Sequence, residues 1–202
     1  MDETKTTGKG LRDSAEAAYT PQRAGRYTYA DYCAWDDGKR WELIDGEAFV
    51  MEAPSRMHQG ILMELSRQVS NFLRGHPCKV FAAPFDVRLN AEEADDTVVQ
   101  PDLLVVCDGR KLADGKCCKG APDFAVEILS PTTAKHDRLR KFNLYLKAGV
   151  QEYWIVDPDT RRIDAYVLQG GRYAATQYAD TGDAQVHGIP GLAISLADVF
   201  AE

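Results

Sequence analysis

A chain of 202 residues with 45% apolar side chains carries enough hydrophobic material for one packed core. Its 24 lysines and arginines against 31 aspartates and glutamates leave a formal charge of −7, which excludes a protein that coats nucleic acid through a uniformly basic surface. The five cysteines, Cys33, Cys78, Cys107, Cys117 and Cys118, are odd in number and include no CxxC pair, so neither a disulfide framework nor a zinc knuckle is signalled and reduced thiols are expected.

No apolar run approaches the roughly 18 residues of a membrane span, and the first twenty residues lack the hydrophobic stretch of a secretion signal. A cytoplasmic protein without a membrane partner is expected. Residues 1–25 are polar and without sustained periodicity, the pattern of a loosely attached arm. A single domain is expected over 26–202.

Thr28 suits the cap of a short helix through Trp35, and WELIDGEAFVME then reads as two strands about Asp45-Gly46, a favoured hairpin turn. Beyond Pro54, apolar residues at Ile61, Leu62, Leu65, Val69, Phe72 and Leu73 form the stripe of an amphipathic helix, with Ser55 as cap and Gly75 as stop. Three strand-like runs follow, over 80–89, 98–107 and 124–129. A second helix is predicted over 133–148, closing at Gly149. EYWIVD is another buried strand, a hairpin turns across Gln169-Gly170-Gly171, and a short helix ends the chain near Leu196. The order predicts an α/β fold, a mixed central sheet with a helix on each side, extended by N- and C-terminal hairpins.

Two acids sit where buried strands should exclude them: Asp102 in VVQPDLLVVC and Glu127 in PDFAVEILS. A buried carboxylate needs a cation, a metal or several hydrogen-bond donors. Alternation puts Asp102 on the side of Leu104, and Glu127 on the side of Ala125 and Leu129. Taken singly, either acid could equally be a strand-end cap, and Pro122-Asp123 has the look of a mere strand entry. The following helix strengthens the functional reading, because Asp137, Lys141 and Tyr145 are spaced four apart and line one face, separate from an expected core stripe of Leu139, Phe142 and Leu146. Two carboxylates holding a hard divalent cation, with an ammonium orienting the attacking water, make a site for phosphodiester hydrolysis. Residues 110–147 carry nine basic against four acidic side chains, a local place for a phosphate backbone to rest.

From Trp41 to about Pro158 the chain resembles the Uma-two family, proteins assigned as restriction endonucleases within the PD-(D/E)XK nuclease superfamily. The similar stretches are WELIDGE, PSRMHQGI, QPDLLVV, VEILSPTT, HDRLRKFNLY and AGVQEYWIVDP. The resemblance implies a restriction-endonuclease-like fold with an αβββαβ core and a magnesium-dependent reaction, manganese able to substitute, on DNA. It matches Asp102 and Glu127 to the two motif acids. The superfamily's usual lysine two positions after the second acid is Leu129 here, and Lys141 on the next helix takes its place. Glu47 and His58 match family positions near the first helix and could complete the metal shell or position a water. Asp137 is expected to orient Lys141, and Tyr145 to brace the same face.

Two alternatives stand beside this reading. One is a catalytically silent binding or scaffold protein that kept the nuclease fold, favoured by the acidic charge and the displaced lysine. The other is a metal-dependent hydrolase of a different substrate. A homodimer or larger assembly is expected, since cutting two strands needs two sites.

Overall fold

The computed structural model describes residues 26–130, 134–179 and 181–201, and the side chains of the third helix from Leu139 onward. The expected N-terminal arm and the helix start at Thr133 lie outside the described residues.

A one-turn helix, α1 (Tyr29–Tyr32), is followed by the antiparallel hairpin β1 (Trp41–Ile44) and β2 (Glu47–Val50). Asp45 and Gly46 both have positive φ, 48° and 82°, as a tight two-residue hairpin turn demands. Next comes α2 (Arg56–Phe72), whose free N-terminus is capped by Ser55 Oγ accepting from His58 N at 3.2 Å. The predicted stripe faces inward: Ile61, Leu62, Leu65, Val69 and Leu73 are buried and Phe72 packs at the edge.

The runs predicted as single strands over 80–89 and 98–107 are each broken in two. The first gives β3 (Lys79–Ala82) and β4 (Val87–Arg88), the second β5 (Val98–Val99) and β6 (Leu103–Val106). Pro84 and Pro101 lie in the gaps, where a residue without an N–H cannot continue a ladder. The halves go to different sheets. The remaining elements are β7 (Cys118–Lys119), β8 (Phe124–Ile128), α3 (Ala134–Ala148), β9 (Glu152–Asp157), the hairpin β10 (Arg162–Gln169) and β11 (Arg172–Ala179), the pair β12 (Asp183–Gln185) and β13 (Ala193–Ser195), and α4 (Leu196–Val199).

The six-stranded central sheet has the order β11-β10-β9-β8-β6-β3 and is mixed, with β8 parallel to β9 and the other pairs antiparallel. The parallel pair requires a crossover, and α3 supplies it. The path α2–β3–β6–β8–α3–β9 is the expected αβββαβ core. A second sheet, β2-β1-β5-β4-β7, was not expected: the N-terminal hairpin joins it instead of extending the central sheet.

Strand alternation divides the interior into two layers. Leu103, Val105, Phe124, Val126, Trp154 and Val156 meet α2 and the C-terminal segment. Leu104, Val106, Ala125, Tyr153 and Ile155 meet α3 and the second sheet. Leu65 is only 1% exposed in the first layer, and truncating such a leucine to alanine costs about 2–5 kcal/mol.

Two expectations are corrected here. Cys78 and Cys107 form a disulfide, because the β3–β6 register, Lys79 opposite Val106, carried one step back sets the two cysteines opposite one another. Cys33, Cys117 and Cys118 are free. The expected core stripe of α3 holds only in part: Phe142 packs against the core, but Leu139 is 67% exposed, while Lys141, Leu144 and Tyr145 are buried. The face read as polar is the inward one, because the buried acids beneath it supply partners for its lysine and tyrosine. Among the described residues, no helix is long and apolar enough to cross a membrane.

Candidate functional site

The β6–β8 register pairs Leu103 with Val126, so its next step brings Asp102 beside Glu127. Opposed residues of an antiparallel pair point to the same side, and alternation turns both acids toward the layer of Leu104 and Ala125, as read from the sequence. There they line a cleft of about 690 Å³ between the two sheets, together with Glu42, His58, Arg140 and Lys141.

Asp102 is held at one oxygen: its Oδ2 accepts from Ile128 N at 2.7 Å and lies 3.2 Å from His58 Nε2. The Ser55 cap fixes the first turn of α2 and with it the origin of the histidine side chain. His58 Nδ1 is buried without a hydrogen-bond partner among the described residues. Burial works against protonation of this imidazole, but the hydrogen bond and charge of Asp102 and the charge of Glu127 outweigh it, so the net direction is upward.

Glu127 is likewise held at one oxygen. Its Oε1 accepts from Lys141 Nζ at 2.9 Å and from Tyr145 OH at 2.6 Å. Burial, opposed by Lys141 and reinforced by the negative charges of Asp102 and Glu42, pushes this carboxyl up to about 7. The Lys141 ammonium is also driven upward: burial opposes its charge, but Glu127 and Glu42 prevail. The Tyr145 hydroxyl is raised by burial and by the same two acids, which keeps it a donor.

Glu42 was missed in the sequence. It lies in β1, 6% exposed, and its Oε1 accepts from Lys141 Nζ and from Gln100 N, both at 2.9 Å. The signal that could have found it is the one that marked Asp102 and Glu127: an acid inside WELI, a strand buried at all four positions. Glu47, five residues later, is exposed on β2 opposite Ile44 and does not line the cleft. The side chain of Asp137 lies outside those described. Asp123 accepts from Cys107 N at 2.7 Å, the strand-entry role its Pro-Asp context suggested.

The basic segment 110–147 does not form one face at the cleft. Arg110 pairs with Asp108, Lys119 with Asp114 and Lys147 with Asp45, while Lys111 bonds to the Ala121 carbonyl. Of its described basic side chains only Arg140 and Lys141 line the cleft, Arg140 with its guanidinium 4.2 Å from the Phe49 ring centre.

The donor chemistry fits a hard divalent cation. With Oδ2 of Asp102 and Oε1 of Glu127 engaged, Oδ1 and Oε2 have no hydrogen-bond partner among the described residues. Two carboxylate oxygens, completed by waters and substrate phosphate, are the usual protein share of a magnesium site. Among the described residues there is no cluster of three or more histidine, cysteine or acidic side chains able to hold a metal.

Comparison with known proteins agrees with this architecture. Two Synechocystis proteins, named "Uncharacterized protein slr1290" and "Uncharacterized protein sll1609", are 30% and 27% identical over 141 and 133 residues, covering 67% and 65% of this chain and 71% and 73% of theirs. A crystal structure from Anabaena variabilis, titled as a "putative nuclease belonging to DUF820", superposes with a TM-score of 0.71 at 20% identity, covering 86% of this chain and 97% of that one. It shares the restriction-endonuclease-like fold. A family model spans residues 28–197, nearly the whole described chain, and by that match the protein belongs to the Uma2 family, described as "Putative restriction endonuclease".

Proposed function

We propose that the protein is a metal-dependent endonuclease that hydrolyses phosphodiester bonds of DNA, with Asp102 and Glu127 holding a magnesium ion, manganese able to substitute, and Lys141 as the catalytic cation. The observation that carries this reading is the pair of neighbouring carboxylates open to a cleft, each with one oxygen fixed by the protein and one without a partner among the described residues. A divalent cation held there would supply Lewis-acid polarisation of a phosphoryl oxygen and a water of lowered pKa. Lys141 stays protonated between its carboxylate partners, so it orients the attacking water and balances charge on the phosphoryl oxygens instead of removing a proton. Tyr145 and Ile128 N fix the metal-binding carboxylates from behind, and Arg140 at the cleft wall is placed to receive a neighbouring phosphate.

Purified protein with magnesium or manganese is expected to nick plasmid DNA, and Asp102→Asn and Glu127→Gln to stop it while the fold persists. Cleavage unchanged in both variants would refute the assignment. Since one cleft serves one strand, double-strand cleavage calls for two copies, and light scattering is expected to show a homodimer or larger assembly.

A specific observation favours the silent-scaffold alternative: Lys141 already stands as the counter-charge between Glu127 and Glu42. Calorimetry with manganese separates the readings, because binding lost in Glu127→Gln supports the enzyme and no binding supports the scaffold.

A further inference from the structure

The ammonium of Lys141 has carboxylate partners on opposite sheets, Glu127 from β8 and Glu42 from β1, each 2.9 Å away. A divalent ion held by Glu127 would upset that arrangement. With the charge of Glu127 taken up by the ion and the ammonium repelled, Glu127 alone would be a poor anchor for the lysine at the moment the lysine is needed. Resting on the nuclease reading above, we propose that Glu42 is the positioning residue of this centre: it holds Lys141 from the second sheet when Glu127 is engaged by the cation, which is how a helix lysine takes over from the strand position occupied by Leu129.

Three observations support this. First, Glu42 is itself fixed. Its Oε1 accepts from Gln100 N, and the Gln100 side chain is tied down by Arg40 at 2.8 and 3.1 Å, by Tyr32 at 3.0 Å and by Asp86 at 2.9 Å. Gln100 precedes Pro101-Asp102, so the anchor for the lysine and the first metal-binding acid hang from one short link between the sheets. Second, the ammonium is shared evenly: Lys141 Nζ lies 2.9 Å from one oxygen of each glutamate, so with Glu127 neutralised it still has a carboxylate charge beside it. Third, Glu42 is buried, with its side chain 8% exposed and that of Lys141 10%, where a carboxylate lacking this cation would be costly.

The test needs no nuclease activity. In protein labelled with ¹⁵N at lysine Nζ, the ammonium of Lys141, recognised by its absence in Lys141→Arg, is expected as a slowly exchanging signal in the wild type. Glu127→Gln removes the charge of Glu127 much as a bound ion would, and the signal is expected to persist there because Glu42 suffices. In Glu127→Gln combined with Glu42→Gln it is expected to vanish. Survival in that double variant, or loss in Glu127→Gln alone, would overturn the proposal. If the double variant does not fold, Glu127→Gln with Glu42→Asp, whose carboxylate stops short of Nζ, is expected to lose most of the signal, and full retention there would equally overturn it. In DNA cleavage, Glu42→Gln is expected to lower kcat on the order of 100-fold with KM little changed, and Glu42→Asp to recover part of it. Wild-type protein inert on DNA would remove the nuclease reading, yet leave the ammonium signal to decide what Glu42 does.

Discussion

Tyr145 and Lys141 meet the same oxygen of Glu127, yet their removal should cost different amounts. Tyr145→Phe deletes one hydrogen bond to a carboxylate that keeps its cation, a loss of about 1.5–3 kcal/mol. Lys141→Met leaves two buried carboxylates facing each other without a counter-charge, and losing one partner of a buried ion pair costs about 3–5 kcal/mol. Urea denaturation at neutral pH is the measurement, and equal midpoints for the two variants would contradict the arrangement. At this scale the sequence was informative wherever an acid interrupted an apolar strand. Asp102 and Glu127 stood out for that reason. Glu42 obeys the same rule but lies three residues before the hairpin turn at Asp45, on a strand whose burial at all four positions is set by packing, whereas Glu47 is exposed on its strand.

At the scale of elements, Glu152 opens β9, fully buried, away from the cleft. Its Oε1 accepts from Trp154 Nε1 at 2.6 Å and its Oε2 from Gly188 N at 2.7 Å, so it staples the C-terminal segment to the central sheet. Glu152→Gln preserves the shape but turns an amide N–H toward one of these donors, and a destabilisation of about 1–3 kcal/mol is expected. Burial, opposed by the bonds from Gly188 and Trp154, raises this carboxyl above its ordinary value of 4.5. The folded chain therefore holds the proton more tightly than the unfolded one. The stability this confers is complete below 4.5 and is lost as pH rises through the folded value, so the gap between wild type and Glu152→Gln should narrow with rising pH. A gap that widens would reverse the direction of the shift. Helix α2 and the hairpins were legible because spacing, caps and turn residues all agreed. Helix α3 was legible as a helix but not in its facing, since a stripe of Leu139, Phe142 and Leu146 satisfies periodicity without revealing that charged partners lie on the other side.

Among the described residues the two larger sheets meet at a cleft, and this was the least legible feature. Strands β4, β5 and β7 are two residues each, too short for a periodic pattern, and they pair only because Pro84 and Pro101 break longer apolar runs. The basic segment misled in the same way, since charges adjacent in sequence are spread over separate ion pairs in space. Under the proposed function, the two-sheet arrangement would make stability and metal binding one equilibrium. Asp102 and Glu127 come from β6–β8 of the central sheet, and Lys141 and Glu42 link them to the second sheet, so an ion that binds only the assembled cleft must favour the folded state. At a hundred times its dissociation constant such an ion adds about 2.7 kcal/mol, and for a chain of this size each kcal/mol moves Tm by about 2–4 °C. Calorimetric melting with saturating magnesium or manganese is thus expected to rise on the order of 5–10 °C in the wild type and not at all in Asp102→Asn with Glu127→Gln. A rise that survives in the double variant would put the ion somewhere other than between these two carboxylates.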